Sequence, residues 1–376
     1  MNLNKVTFTL LVSLLMTFLF VTAASACSLN DEYIMEINID EQNINIADHS
    51  DSATEGNWIS LSGGSSFSLP SPLTFTYNGV NYTETTINER NINVSLNVDN
   101  FTDYVITYPY ATHQMYTNVS GLNNVEIEFS GSDYFAEEKV DVYLFNSTIS
   151  DVKQTMLDLL EGDTSSLNGM FNSVMQLSEG VALDSNGDMS MDYGTLDAGS
   201  YCVLIILPDE NVLLSATAFE VLDYNSDVVV SSESENVTLD VQLENAPATT
   251  YTYGAILVKE SEYKADVRVE FDGTKDGFNS SVNGHLVVDG FDLIGMELND
   301  MHKSNVSDLL TDIYGSDNIS IVYSTVPFSN ASLLLDTSDL SSGDYILFTG
   351  AMSDHDMVAF DEKKGSVSNG QFQLAT

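Results

Sequence analysis

Asp184, Asn186 and Asp188 stand at every other position, and Ser190 and Asp192 continue the series. Oxygen ligands at that spacing can wrap a hard cation such as calcium. The match to a calcium loop is partial, because Gly187 takes the fourth place, Met189 the sixth where the loop needs glycine, and Thr195 the twelfth where it needs a bidentate Glu. An Asn186-Gly187 hairpin turn with acidic flanks is the simpler reading of the same residues. A second kind of chemistry is covalent attachment. Asn-x-Ser/Thr sequons occur at Asn81, Asn93, Asn100, Asn118, Asn146, Asn236, Asn279, Asn305, Asn318 and Asn330, where roughly six are expected from so much Asn, Ser and Thr. On an exported chain they are acceptors for bulky, solubilising glycans.

The histidines His49, His113, His285, His302 and His355 lack metal-ligand spacing. Asp354-His355-Asp356 could orient a general base, but it falls in a turn between two strand patterns. No Gly-x-Ser-x-Gly elbow, phosphate loop or Cys-x-x-Cys is present. The sequence therefore assigns no catalytic residue and no cofactor, and calcium is the one metal its spacing admits. Tyr104, Tyr108, Tyr110 and Tyr116 could form a sugar-stacking platform; cross-strand packing in a sheet is the simpler reading of them.

The chain has 376 residues, of which 56 are acidic and 11 basic, for a net charge of −45. A surface so negative repels nucleic acid and anionic lipid, so no nucleic-acid partner is expected. Lys5, the apolar run Val6 to Val21 and Ala24-Ser25-Ala26 make residues 1–26 a signal peptide. Cys27 follows the cut, where a thiol can carry a lipid anchor, the only hold on a membrane that the sequence offers. Ala24 stands where lipoprotein signals usually carry a larger aliphatic residue, so an unmodified terminus competes with that reading. Cys202 lies inside an apolar run and reads as a small core residue.

These groups must be positioned by strands. Leu196 to Tyr224, LDAGSYCVLIILPDENVLLSATAFEVLDY, reads as a hairpin, and Leu340 to Val367 repeats its form. Gly-x-Tyr at the head of each buried strand, Gly199 to Tyr201 and Gly343 to Tyr345, predicts a tyrosine corner of an immunoglobulin-like sandwich. Strands, helix, strands and a Gly-x-Tyr hairpin recur at an offset of about 150 residues, which predicts a duplication. Helices are expected after Ser150, at Ser166 to Leu177 and at Ser304 to Tyr314. Asn78-Gly79 predicts a local hairpin, and the acidic, serine-rich Ser231 to Asn236 reads as a linker. The expected fold is mostly β: an N-terminal β domain (27–118), a β-sandwich with a helical insertion (119–224), a linker with a first strand (225–247) and a second sandwich with a short helix (248–376).

LDAGSYCVLI, LLSATAFEVLDY, YTYGAILVKESEYKADVRVEFDGT (251–274), VNGHLVVDGF (282–291) and DLSSGDYILFTG (339–350) resemble secreted, cell-surface domains of methanogenic archaea. The resemblance covers roughly residues 120–367. It implies an extracellular or envelope-associated β-sandwich with a structural or adhesive, non-catalytic role, meeting cell-envelope or surface-layer components. The alternative is an extracellular module that binds a divalent cation or a carbohydrate. The polar end, SVSNGQFQLAT, differs from the hydrophobic C-terminal tail by which such proteins are held.

Overall fold

The computed structural model describes the chain except for residues 1–32, 40–41, 50–55, 80–81, 88–89, 97–103, 120–122, 147–173, 234, 272–277, 290–305, 354–355 and 376. The signal peptide, Cys27, Asn81, Asn100, Asn305, His302, His355 and the helix expected after Ser150 lie outside the described residues.

Period-two alternation builds both sandwiches. In Gly199–Leu207 every second residue, Tyr201, Val203, Ile205 and Leu207, is buried, because successive side chains of a strand point to opposite faces. Taken in chain order, the first sandwich uses seven strands: Trp58–Ser62, Asn124–Ser130, Lys139–Asn146, Val174–Ala182, Met189–Thr195, Gly199–Leu207 and Val212–Leu222. The first, second and fifth form one sheet, and the fourth, third, sixth and seventh form the other. Ile127 and Phe129 from one sheet and Val142 and Val203 from the other share one core. The second sandwich repeats this plan with Ser226–Glu233, Asn236–Leu243, Tyr251–Lys259, Ile319–Val326, Asn330–Asp336, Gly343–Ser353 and Asp356–Ser368, and adds Gln371–Leu374 at the edge. The chain is thus a tandem of immunoglobulin-like β-sandwiches. Both units carry an insertion between the third and fourth strands, at residues 147–173 and 260–318, and the first unit carries a longer one between its first and second strands, at residues 63–123.

A further five-stranded sheet joins the two units. Leu73–Gly79 and Tyr104–Thr107 come from the insertion between the first two strands of the first sandwich, and Ala265–Phe271, Phe278–Val282 and His285–Asp289 from the long insertion of the second. Leu73–Gly79 and Ala265–Phe271 pair in parallel from Leu73↔Ala265 to Gly79↔Phe271. Thr74 and Thr76 hydroxyls both donate to Asp266 Oδ1, at 3.2 and 3.0 Å. Beside this sheet, the Glu362 carboxylate accepts the Ser68 hydroxyl at 2.7 Å and its N–H at 2.5 Å, and the Phe67 and Phe360 rings meet edge to face.

Several expectations change accordingly. Residues 27–118 do not close into a domain of their own among the described residues. Trp58–Ser62 belongs to the first sandwich, Gln42–Ala47 extends that sandwich's larger sheet through Val212–Leu222, and Leu73–Gly79 belongs to the joining sheet. The Asn78-Gly79 hairpin is not formed, because Leu73–Gly79 takes its two neighbours from distant segments. The acidic stretch read as a linker is the tip of the hairpin Ser226–Glu233/Asn236–Leu243, where Ser231 faces Thr238 and Glu233 faces Asn236. Backbone pairing does not need apolar side chains at a hairpin tip. Val174–Ala182 is a strand, so the helical expectation for Ser166 to Leu177 fails over its last four residues. The helix expected from Ser304 is described as Val306–Tyr314.

Candidate functional site

The Asp184 turn connects Val174–Ala182 to Met189–Thr195. Asp184 Oδ1 accepts the N–H groups of Asn186 and Asp188 at 2.8 and 3.0 Å, and these bonds hold its carboxyl below the ordinary range. Asp184 N–H donates to Asp188 O, and Gly187 N–H to Asp184 O. Gly187 sits at φ +83°, against Ser132, whose carbonyl oxygen would lie 2.3 Å from an added Cβ. Asp188 Oδ1 reaches across to Gly131 N–H at 3.1 Å. The structure therefore brings Asp184, Asn186 and Asp188 together, with both aspartates turned onto backbone amides, Asp184 in the manner of an Asx turn and Asp188 across to a distant loop. Ser190 and Asp192 run up the following strand, where Asp192 Oδ1 accepts from Gly194 N–H. Among the described residues no group of three or more His, Cys, Asp or Glu side chains is placed to hold a metal ion.

The glycan acceptors fall into distinct environments. Asn118, Asn146 and Asn330 are exposed, while Asn236, Asn279 and Asn318 are half-buried; Asn93 lies in the strand Arg90–Leu96. Asn146 reaches the Tyr201 phenol. Asn318 is fully engaged: Nδ2 donates to Tyr314 O at 3.0 Å and to Asp317 Oδ1, and Oδ1 accepts from Ser341 Oγ at 3.0 Å.

Both tyrosine corners are present. Tyr201 OH donates to Asp197 O and Tyr345 OH to Ser341 O, each at 2.8 Å and each four residues upstream. A third, Tyr251 OH to Pro247 O at 3.0 Å, escaped the sequence reading because no glycine precedes it. Of the described aromatic side chains of the first insertion, Tyr116 is buried and Tyr108 and Tyr110 are half-buried. Tyr116 is fully buried with its phenol on Ser62 O, and Tyr108 lies edge to face with both Trp58 and Tyr110. Burial pushes the Tyr108 phenol well up, and pushes the Cys202 thiol up to about 12 although the residue as a whole is only half-buried. His113 Nε2 donates to Ala218 O at 3.2 Å.

The fold defines a tandem β-sandwich protein. No protein-family profile matches the chain, and no curated protein matches it. Among solved structures it is similar to a red sea bream transglutaminase, at 9% identity and a TM-score of 0.22, over 64% of this chain and 28% of that one. The chain thus spans under a third of the transglutaminase. It is also similar to the MG0-NIE-MG1 portion of Escherichia coli alpha-2-macroglobulin, at 10% identity and a TM-score of 0.24, over 83% of this chain and 99% of that one. A Corynebacterium diphtheriae protein described as membrane-anchored is similar at 12% identity and a TM-score of 0.20, over 94% and 84% of the two chains.

Proposed function

We propose that the chain is an exported, envelope-associated protein with a structural or adhesive, non-catalytic role at the cell surface, as its resemblance to methanogen surface domains implies. The observation that carries this reading is the joining sheet. Seven residues of Leu73–Gly79 pair with seven of Ala265–Phe271, so insertions from both sandwiches build a connection between them. A displayed or tension-carrying element needs that, because two domains on a plain linker move independently. The signal peptide supports export. No helix among the described residues is long and apolar enough to cross a membrane, and a lipid on Cys27 supplies attachment. Partners are then neighbouring components of the envelope or surface layer.

Intact-mass analysis of the protein recovered from its native envelope fraction tests the reading. We expect a mature terminus at Cys27 and hexose-type mass at Asn118 and Asn330, which are exposed, with Asn318 unmodified because its Nδ2, the atom a glycan would take, is already committed to Tyr314 O and Asp317 Oδ1. A chain still carrying residues 1–26 and found in the cytosol would falsify it. An unmodified chain starting at Cys27 and released to the medium would shift the reading to a soluble binding module.

A further inference from the structure

The larger sheet of the second sandwich has an apolar outer face. On Tyr251–Lys259 the residues Tyr251, Tyr253, Ala255 and Leu257 fill the core, while Thr252, Gly254, Ile256 and Val258 point the other way. On Gly343–Ser353 the outward set includes Phe348, Gly350 and Met352. A one-sided antiparallel sheet ordinarily presents polar residues on this face. Here it is covered by the helix Val306–Tyr314, by Tyr263 and by Ala265 and Val267 of the joining sheet, and a cavity of about 200 Å³ remains between cover and sheet. None of the described residues lining it carries a charge. Tyr323, one of the lining residues, is 47% exposed.

The floor of the cavity is a glycine pair. Gly254 and Gly350 face each other across the two central strands. Neither has a positive φ, so the backbone does not demand glycine at either place. A Cβ at Gly254 would meet Val322 O at 3.9 Å, and one at Gly350 would meet Ala359 O at 3.5 Å, both ordinary contacts. A side chain would fit, and glycine within a strand weakens it, so the bare backbone points to something that approaches it closely. Counted from the corner tyrosines, Tyr345 and Tyr201, the same cross-strand pair in the first sandwich is Asp141 and Ile206. The glycine pair is thus peculiar to the unit that holds the cavity.

We propose that this cavity binds a small, uncharged, mostly hydrocarbon ligand whose planar ring lies flat on Gly254 and Gly350. An apolar cavity of about 150 Å³ takes a benzene ring, so this one takes a fused bicyclic ring or a ring with a short substituent. A charged ligand would meet no counter-charge among the described lining residues and would lose its hydration on entry.

The probe is 1-fluoronaphthalene, followed by fluorine NMR with the mature chain. The expected result is a saturable shift or broadening, reversed by unlabelled naphthalene. Gly254→Leu fills the floor and is expected to weaken binding at least tenfold while melting at or above the wild-type temperature; Gly350→Val serves the same purpose should Gly254→Leu fail to fold. The anion 2-naphthoate is expected to bind at least tenfold more weakly than naphthalene. Absence of a saturable signal up to the solubility of the probe overturns the proposal, as does undiminished binding by a folded variant or equal binding of the anion.

Discussion

Tyr201 and Tyr345 show how one hydroxyl fixes the entry of a strand. Each phenol is at most 1% exposed as a residue and donates to a carbonyl four residues back. Removing the donor leaves the ring packed and the carbonyl without its partner, so Tyr201→Phe and Tyr345→Phe should each cost about 1–2 kcal/mol in urea unfolding. An unchanged midpoint would mean that the corners do not support the hairpins. Titration also acts at this scale. Burial lowers both His49 and His113 to about 4 from 6.5, so on acidification the unfolded chain takes up these protons first. Their contribution is complete above pH 6.5 and is lost as pH falls towards 4, by about 3 kcal/mol per histidine. Glu220 runs the other way. Burial raises it from 4.5 to about 7, so its share is complete below pH 4.5 and fades as pH rises through 7. His113→Gln should therefore flatten the acid limb of a stability–pH curve, and Glu220→Gln the limb around pH 7. Swapped effects would show that the two burials are misassigned.

The joining sheet matters most at the scale of elements. Phe75 and Val267 are register partners, 3% and 2% exposed, in the parallel pair that links the sandwiches. Phe75→Ala removes a buried ring, and about 3–5 kcal/mol is the expected loss. Because the sheet takes strands from both units, the loss should appear in both. The fluorescence of Trp58, in the first sandwich, and hydrogen exchange at Tyr251–Lys259, in the second, are expected to report it together; a change confined to Trp58 would mean that the units are stabilised separately. The duplicated hairpins were legible beforehand because period two and Gly-x-Tyr are local signals. The parallel pair was not, since its partners, such as Thr74 and Asp266, lie 192 residues apart. Parallel pairing has no turn between its strands to announce it.

For the molecule as a whole the net charge of −45 dominates. The ion pairs described, such as Lys363 with Asp361 and Lys364 with Glu260, are few and partly exposed, and each contributes little. Self-repulsion is relieved when the screening length shrinks from about 30 Å at 0.01 M salt to about 3 Å at 1 M. Raising sodium chloride over that range should raise the melting temperature by several degrees; a flat or falling curve would locate the carboxylates too far apart to interact.

What the sequence by itself determined was the acidic composition, the β character, the two corner tyrosines and the repeated hairpin plan, because each is written in composition or in spacings of a few residues. The Asp184 series was visible too, and its two readings both rested on local spacing. Only the tertiary structure decided that residues 27–118 are shared among three sheets, that Ser231 to Asn236 is a hairpin tip, and that Gly254 and Gly350 lie face to face over a cavity. Those outcomes depend on which distant strands and layers bury a given face, and burial is a property of the folded whole.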